Sequence, residues 1–159
     1  MQKIIIFGNS GSGKSTRAKA LCKTHGLSHL DLDTLAWQAC TPPKRLPIAE
    51  SKKQISAFVS AHDNWVIEGC YSDLLALVLS EASKVIFMNL PIELCIKNAK
   101  NRPWEPHKYP SKEAQDKNLS MLIDWIAAYD SRDDTFSQQA HSKLYESYQG
   151  NKKMVVVNE

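Results

Sequence analysis

The chain has 159 residues, 43% hydrophobic and 23% charged, with a formal charge of +3, which is enough for one compact domain with a core that stands without disulfides and too little for two. That mild positive balance lacks the clustered basic surface of a dedicated nucleic-acid binder and suits a small anionic ligand. Cys22, Cys40, Cys70 and Cys95 are widely spaced with no CxxC pair, which predicts reduced thiols; no apolar run is long enough to cross a bilayer, so a soluble cytoplasmic protein with no membrane partner is expected.

Ile4 to Phe7 is a continuous apolar strand of the kind buried on both faces of a parallel sheet. It runs directly into Gly8-Asn9-Ser10-Gly11-Ser12-Gly13-Lys14-Ser15, a complete GxxxxGKS phosphate-binding loop, or Walker A motif. A helix follows from about Lys14 to His25, stopped by Gly26. Leu27 to Leu32 is a second strand ending in the acids Asp31 and Asp33, which share one face if the backbone stays extended. Thr41 to Arg45 reads as a loop, and Pro47 opens a helix to about His62. Trp65-Val66-Ile67 is a third strand ended by Glu68-Gly69. Ser72 and Asp73 start a helix through Leu79, and Lys84 to Leu90 is a fourth strand. Pro91 opens a helix to about Asn101. Arg102 to Pro110 holds three prolines and is expected to be irregular and mobile. Helices over Lys112 to Tyr129 and Thr135 to Tyr148 follow, and Met154 to Val157 is a last strand.

Strands alternating with helices predict an α/β domain spanning 1–159: three α/β/α layers, a five-stranded parallel sheet and a short lid at about 102–111. Ligands of such sheets bind beyond the carboxyl ends of the strands, which here carry the glycine-rich loop, Asp31 with Asp33, and Glu68. The loop predicts a phosphate cradle from Gly8, Asn9, Ser10, Gly11, Ser12, Gly13, Lys14, Ser15 and Thr16, with the following helix dipole aimed at the same anion. Lys14 meets the outer phosphates and Ser15 offers a hydroxyl to Mg²⁺, joined through water by Glu68 or Asp31. Asp33 is the candidate to orient an acceptor, although an aspartate in that position also caps helices. The chain has only four arginines, and two of them, Arg102 and Arg132, stand in or near the expected mobile segment as clamps on a transferring phosphate. Arg17 reads as a surface residue, and Arg45 as either an acceptor ligand or a solubilising loop charge. Of the histidines, His29 could line the cleft, whereas His25, His62 and His141 read as ordinary helix residues.

Taken together these residues resemble the adenylate-kinase-related P-loop kinases, a group that includes nucleoside monophosphate, shikimate and gluconate kinases. Ile67-Glu68-Gly69 is similar to the acid-glycine pair that reaches the magnesium shell in nucleotide kinases. Arg102-Pro103 resembles the lid arginine of shikimate kinases, and Arg132 with Asp133-Asp134 resembles the arginine and paired aspartates after the lid in adenylate kinases. His29 to Trp37 and Trp65 to Ser72 look most like the topology-modulation-protein branch, in which the matching aspartate is Asp33. Two features depart from the pattern: Cys70-Tyr71-Ser72 stands where adenylate kinases carry an arginine for the acceptor phosphate, and the triple-glycine turn of shikimate kinases is missing.

The resemblance implies an ATP- and Mg²⁺-dependent kinase of a small-molecule acceptor, with an acceptor-binding insertion at about 33–64 and with Lys14, Asp33, Arg102 and Arg132 as its catalytic residues. The rival expectation is a nucleotide-binding regulatory ATPase acting on DNA or a protein partner. A basic stripe would support it, but Lys52-Lys53 and Lys152-Lys153 are only short pairs, and such pairs are usually solvated surface.

Overall fold

The computed structural model describes residues 1–38 and 44–158. Cys40 and most of the expected loop, Thr41-Pro42-Pro43, lie outside the described residues. The elements are β1 (Lys3–Gly8), α1 (Lys14–His25), β2 (Ser28–Asp31), α2 (Ile48–Ala61), β3 (Trp65–Gly69), α3 (Ser72–Val78), β4 (Lys84–Met88), α4 (Ile92–Lys100), α5 (Lys112–Ala127), α6 (Gln138–Ser147) and β5 (Asn151–Val155). All five strands pair in parallel, in the order β2-β3-β1-β4-β5.

Side chains alternate across each strand, so the sheet has two apolar faces and needs helices on both. Ile5, Phe7, Ile67 and Phe87 point to one side and pack with Ile55 of α2, Leu74 of α3 and Leu144 of α6. Ile4, Ile6, Val66 and Ile86 point to the other and meet Ala18 of α1, Cys95 of α4 and Ile126 of α5. The result is the expected three-layer α/β/α arrangement, with α1, α4 and α5 on one face and α2, α3 and α6 on the other.

Two strands differ from their sequence reading. β2 stops at Asp31, because Leu32–Thr34 turns into a 3₁₀ helix whose N-cap is Asp31; its carboxylate accepts from the Asp33 amide at 2.9 Å. Asp31 and Asp33 therefore do not alternate along one extended strand. β5 covers Asn151–Val155 rather than Met154–Val157. An edge strand has solvent on one flank and is held by backbone bonds to β4, so it tolerates Lys152 and Lys153; the apolar Val156 and Val157 lie beyond it, exposed. Among the described residues no helix is long and apolar enough to cross a membrane.

Phe87 is fully buried and stacks on Phe7 with ring centroids 5.0 Å apart. Phe87→Ala should lower stability by about 3–5 kcal/mol, read as a drop in the urea unfolding midpoint with the slope unchanged.

Candidate active site

The parallel register sets the site. Phe7 lies beside Gly69 and Asp31 beside Glu68, so the carboxyl ends of β1, β3 and β2 form one row. A cleft of about 990 Å³ opens above it, lined by the glycine-rich loop, Asp33, Glu68, Arg102 and Lys108.

The loop has the conformation its glycines predict. Gly11 and Gly13 have φ of 77° and 91°, and a Cβ on Gly11 would stand 2.3 Å from the Cys95 carbonyl oxygen. Gly13 is the N-cap of α1, with no side chain capping the helix and no acidic residue in its first turn. The first-turn N–H groups therefore face the cleft mouth without an intrahelical partner, and the positive end of the helix is free for an anion. The buried Ser12 hydroxyl also has no hydrogen-bond partner among the described residues. Lys14 Nζ donates to the Asn9 carbonyl at 2.7 Å, which holds the ammonium at the loop. Asn98 Nδ2 donates to the Gly11 carbonyl at 2.8 Å and to Asn158 Oδ1 at 2.7 Å, while Asn158 Nδ2 donates to the Ser12 carbonyl, so α4 and the segment after β5 brace the loop.

Glu68 is 2% exposed and accepts from the Ser15 hydroxyl at 2.6 Å; His29 Nε2 lies 2.9 Å from the same oxygen. Burial pushes the Glu68 carboxyl up, but the bonds from His29 and Ser15, with the charge of Lys14, outweigh it and hold the group below its usual range. Among the described residues no cluster of three or more His, Cys, Asp or Glu is arranged to hold a metal. A Mg²⁺ bound with a nucleotide needs only one or two carboxylates, because phosphate and water oxygens complete its shell, so the Ser15–Glu68 pair fits it.

Asp33 accepts from the Tyr71 hydroxyl and from Lys108 Nζ, the latter at 2.8 Å. Burial raises its pKa, and Lys108, Tyr71 and Lys14 together bring it below the usual value, so it stays an anion. Asp31 moves the other way, raised by burial and by the charges of Glu68 and Asp33. Trp37 Nε1 donates to the Tyr71 oxygen at 2.8 Å, which leaves that hydroxyl's proton for Asp33.

Of the expected clamps, Arg102 lines the cleft and pairs with Glu105 at 3.3 Å. Arg132 is not in the cleft wall: it lies over the Trp125 ring at 3.8 Å, donates to the Trp125 carbonyl and sits 3.6 Å from Asp134. Arg45 pairs with Asp73 at 3.3 Å and covers the Tyr71 ring. The segment between α4 and α5 is irregular, as its prolines predict, and Gln115 and Asn118 of α5 hydrogen-bond to it.

Sequence reasoning passed over Lys108, Tyr71 and His141. Lys108 belongs to no motif, and Tyr71 stands out only within Cys70-Tyr71-Ser72 in place of a missing arginine, two residues after the acid-glycine pair. His141, read as an ordinary helix residue, is fully buried between Tyr129 and the end of β3. Its Nδ1 accepts from the Tyr129 hydroxyl at 2.7 Å and its Nε2 donates to the Cys70 carbonyl at 2.8 Å, which is the neutral tautomer.

A family model described as AAA domain matches residues 4–104. No curated protein matches the chain. A sugar kinase from Janibacter sp. HTCC2649, solved unliganded, is similar with a TM-score of 0.53 at 14% identity, covering 98% of this chain and 85% of that one. An uncharacterized protein from Eubacterium ventriosum ATCC 27560 gives a TM-score of 0.49 at 17% identity, covering 98% and 91%. The family match and the five-stranded parallel sheet define a P-loop NTPase fold.

Burial pushes the His141 pKa down to about 4 from an unfolded value of 6.5. In that window the unfolded chain binds the extra proton, so the stability contribution is full above pH 6.5 and is lost as pH falls through about 4. Urea unfolding at pH 7.5, 5.5 and 4.5 should show that fall, and His141→Gln should flatten it.

Proposed function

Because the chain belongs to the AAA domain family, we propose that it is an ATP- and Mg²⁺-dependent kinase that moves the terminal phosphoryl group of ATP to an oxygen of a small-molecule acceptor. The observation that carries this reading is Asp33, an ionised carboxylate that shares one cleft with Lys14 and with the Ser15–Glu68 pair. Phosphoryl transfer demands little covalent chemistry from the protein and mostly positioning and charge neutralisation, and this cleft has a group for each part.

In this reading the backbone from Gly8 to Thr16 binds the phosphates and Lys14 meets the outermost one. Ser15 and Glu68 hold Mg²⁺, with Asp31 beside them; when bound, the ion neutralises phosphate charge. Asp33 orients the acceptor hydroxyl and receives its proton, helped by the Tyr71 hydrogen bond that fixes the carboxylate. Arg102 closes from the lid over the transferring group. Arg132, expected to serve the same phosphate, would have to leave Trp125 to do so.

The finer assignment is to the adenylate-kinase-related branch, as a single domain over 1–159 with the acceptor side at about 33–64. It is supported by Glu68-Gly69 at the end of β3 and by Asp33, which lines the same cleft from the turn after β2. The acceptor is a small molecule rather than nucleic acid. Cys70-Tyr71-Ser72 supplies no arginine for an acceptor phosphate, and Arg45 is engaged by Asp73, which argues against AMP.

The test is ADP release from ATP with a panel of nucleotides, sugars, polyols and hydroxy acids. Wild-type protein should release ADP only when one of these acceptors is present; hydrolysis stimulated only by DNA or a protein would sink the proposal. Lys14→Ala should lower transfer by about 10²–10³-fold. Asp33→Asn should lower turnover by about 10²–10⁴-fold while leaving ATP affinity intact, and equal loss of both would make Asp33 structural.

A further inference from the structure

Phosphoryl transfer needs cations around the moving group, and two of the four arginines are engaged away from the cleft. Arg45 is held by Asp73 and Arg132 by Trp125 and Asp134, while Arg17 of α1 and Arg102 of the lid line the cleft. Lys108 stands in the same wall. Its ammonium is 2.8 Å from Asp33 Oδ2, 3.6 Å from Asp31 Oδ2 and 3.9 Å from Glu105 Oε2, with the side chain 23% exposed. A lysine brought from the lid into partial burial, against the carboxylate that faces the acceptor, is an uncommon placement for a residue that merely solubilises a loop.

Distance then limits what it can touch. An acceptor oxygen handing its proton to Asp33 lies about 3 Å from that carboxylate, and in a reactive geometry the attacked phosphorus is about 3–3.5 Å further on. An ammonium already hydrogen-bonded to Asp33, on a flexible four-carbon stem, reaches the phosphate oxygens without moving the lid backbone.

We propose that Lys108 is a further phosphate-facing cation of this site, beside Lys14 and Arg102, bridging Asp33 to the transferring phosphoryl group. The assignment rests on the kinase reading above. In the transfer the acceptor oxygen forms its bond to the γ-phosphorus, the bond from that phosphorus to the β,γ-bridging oxygen breaks, and the electron pair leaves with ADP. The acceptor proton passes to Asp33. Lys108 stays protonated and offsets charge on the γ-phosphate oxygens.

The experiment is calorimetric titration of the purified full chain with Mg²⁺ and either ADP or the non-hydrolysable analogue AMP-PNP, which adds the γ-phosphate position. Lys108→Ala should weaken AMP-PNP binding about tenfold and leave ADP binding within about twofold, which also shows that the phosphate loop is folded. Lys108→Arg should recover most of the loss. Uncovering Asp33 could weaken the analogue by repulsion alone, so the double variant Lys108→Ala, Asp33→Asn separates the two: a direct contact predicts that the loss persists, and recovery overturns the proposal. Equal losses for both nucleotides, an unchanged ratio, or a ratio erased by Arg132→Ala instead would also overturn it. A wild-type chain that binds neither nucleotide, or a Lys14→Ala variant that binds as tightly as wild type, would instead remove the kinase reading on which the proposal stands.

Discussion

Three carboxylates, Asp31, Asp33 and Glu68, are brought together at the ends of two neighbouring strands, and the site depends on how their charge is answered. Like charges at this range raise one another's pKa and disfavour burial. The register that aligns Asp31 with Glu68 makes the crowding unavoidable. The protein meets it from three directions: Lys14 from the phosphate loop, His29 from β2 and Lys108 from the lid. Lys14 and Lys108 also line the cleft, so two of the groups that offset these acids form its wall.

The answer is unequal, and that inequality divides the labour. Glu68 and Asp33 are held as anions by specific hydrogen bonds, whereas Asp31 takes the repulsion and has its proton affinity raised. Asp31 is occupied in capping the 3₁₀ turn that carries Asp33. The acid with the structural bond is thus the one whose ionisation is least supported, and the two acids that line the main cleft are kept charged. Tyr71 and Trp37 extend the support of Asp33 outward in a chain of hydrogen bonds, which fixes the direction in which its free lone pairs point.

Behind the cleft, the apolar faces of the sheet supply the rigidity that such positioning requires. His141, Tyr129 and the Phe7–Phe87 stack occupy one side beneath the loop, and the His141 bond to the Cys70 carbonyl ties α6 to the backbone leaving β3. A neutral, buried imidazole is a brace with a pH limit, because its protonation in acid removes an acceptor from Tyr129 and puts an unpaired charge in the core.

Much of the fold was legible from local sequence. The strand run into Gly8–Ser15, the helix after it, Glu68-Gly69 at the end of β3 and the proline-broken lid each follow from residue type and spacing, because backbone conformation at glycine, proline and short apolar runs is decided within a few residues. The edge strand β5 was misplaced because its stability comes from β4 and not from its own apolar content. Side-chain destinations were harder. Arg132 turning onto Trp125 and Arg45 onto Asp73 depends on which aromatic or acidic group packing brings near. Lys108 meeting Asp33 joins residues 75 positions apart, and Tyr71 reaching the same carboxylate spans 38. The sequence by itself determined a phosphate loop at the mouth of a parallel sheet, with acids at the neighbouring strand ends. Only the tertiary structure decided which cations answer those acids, since an ion pair between distant segments forms only where the packing of the whole domain holds both ends in reach.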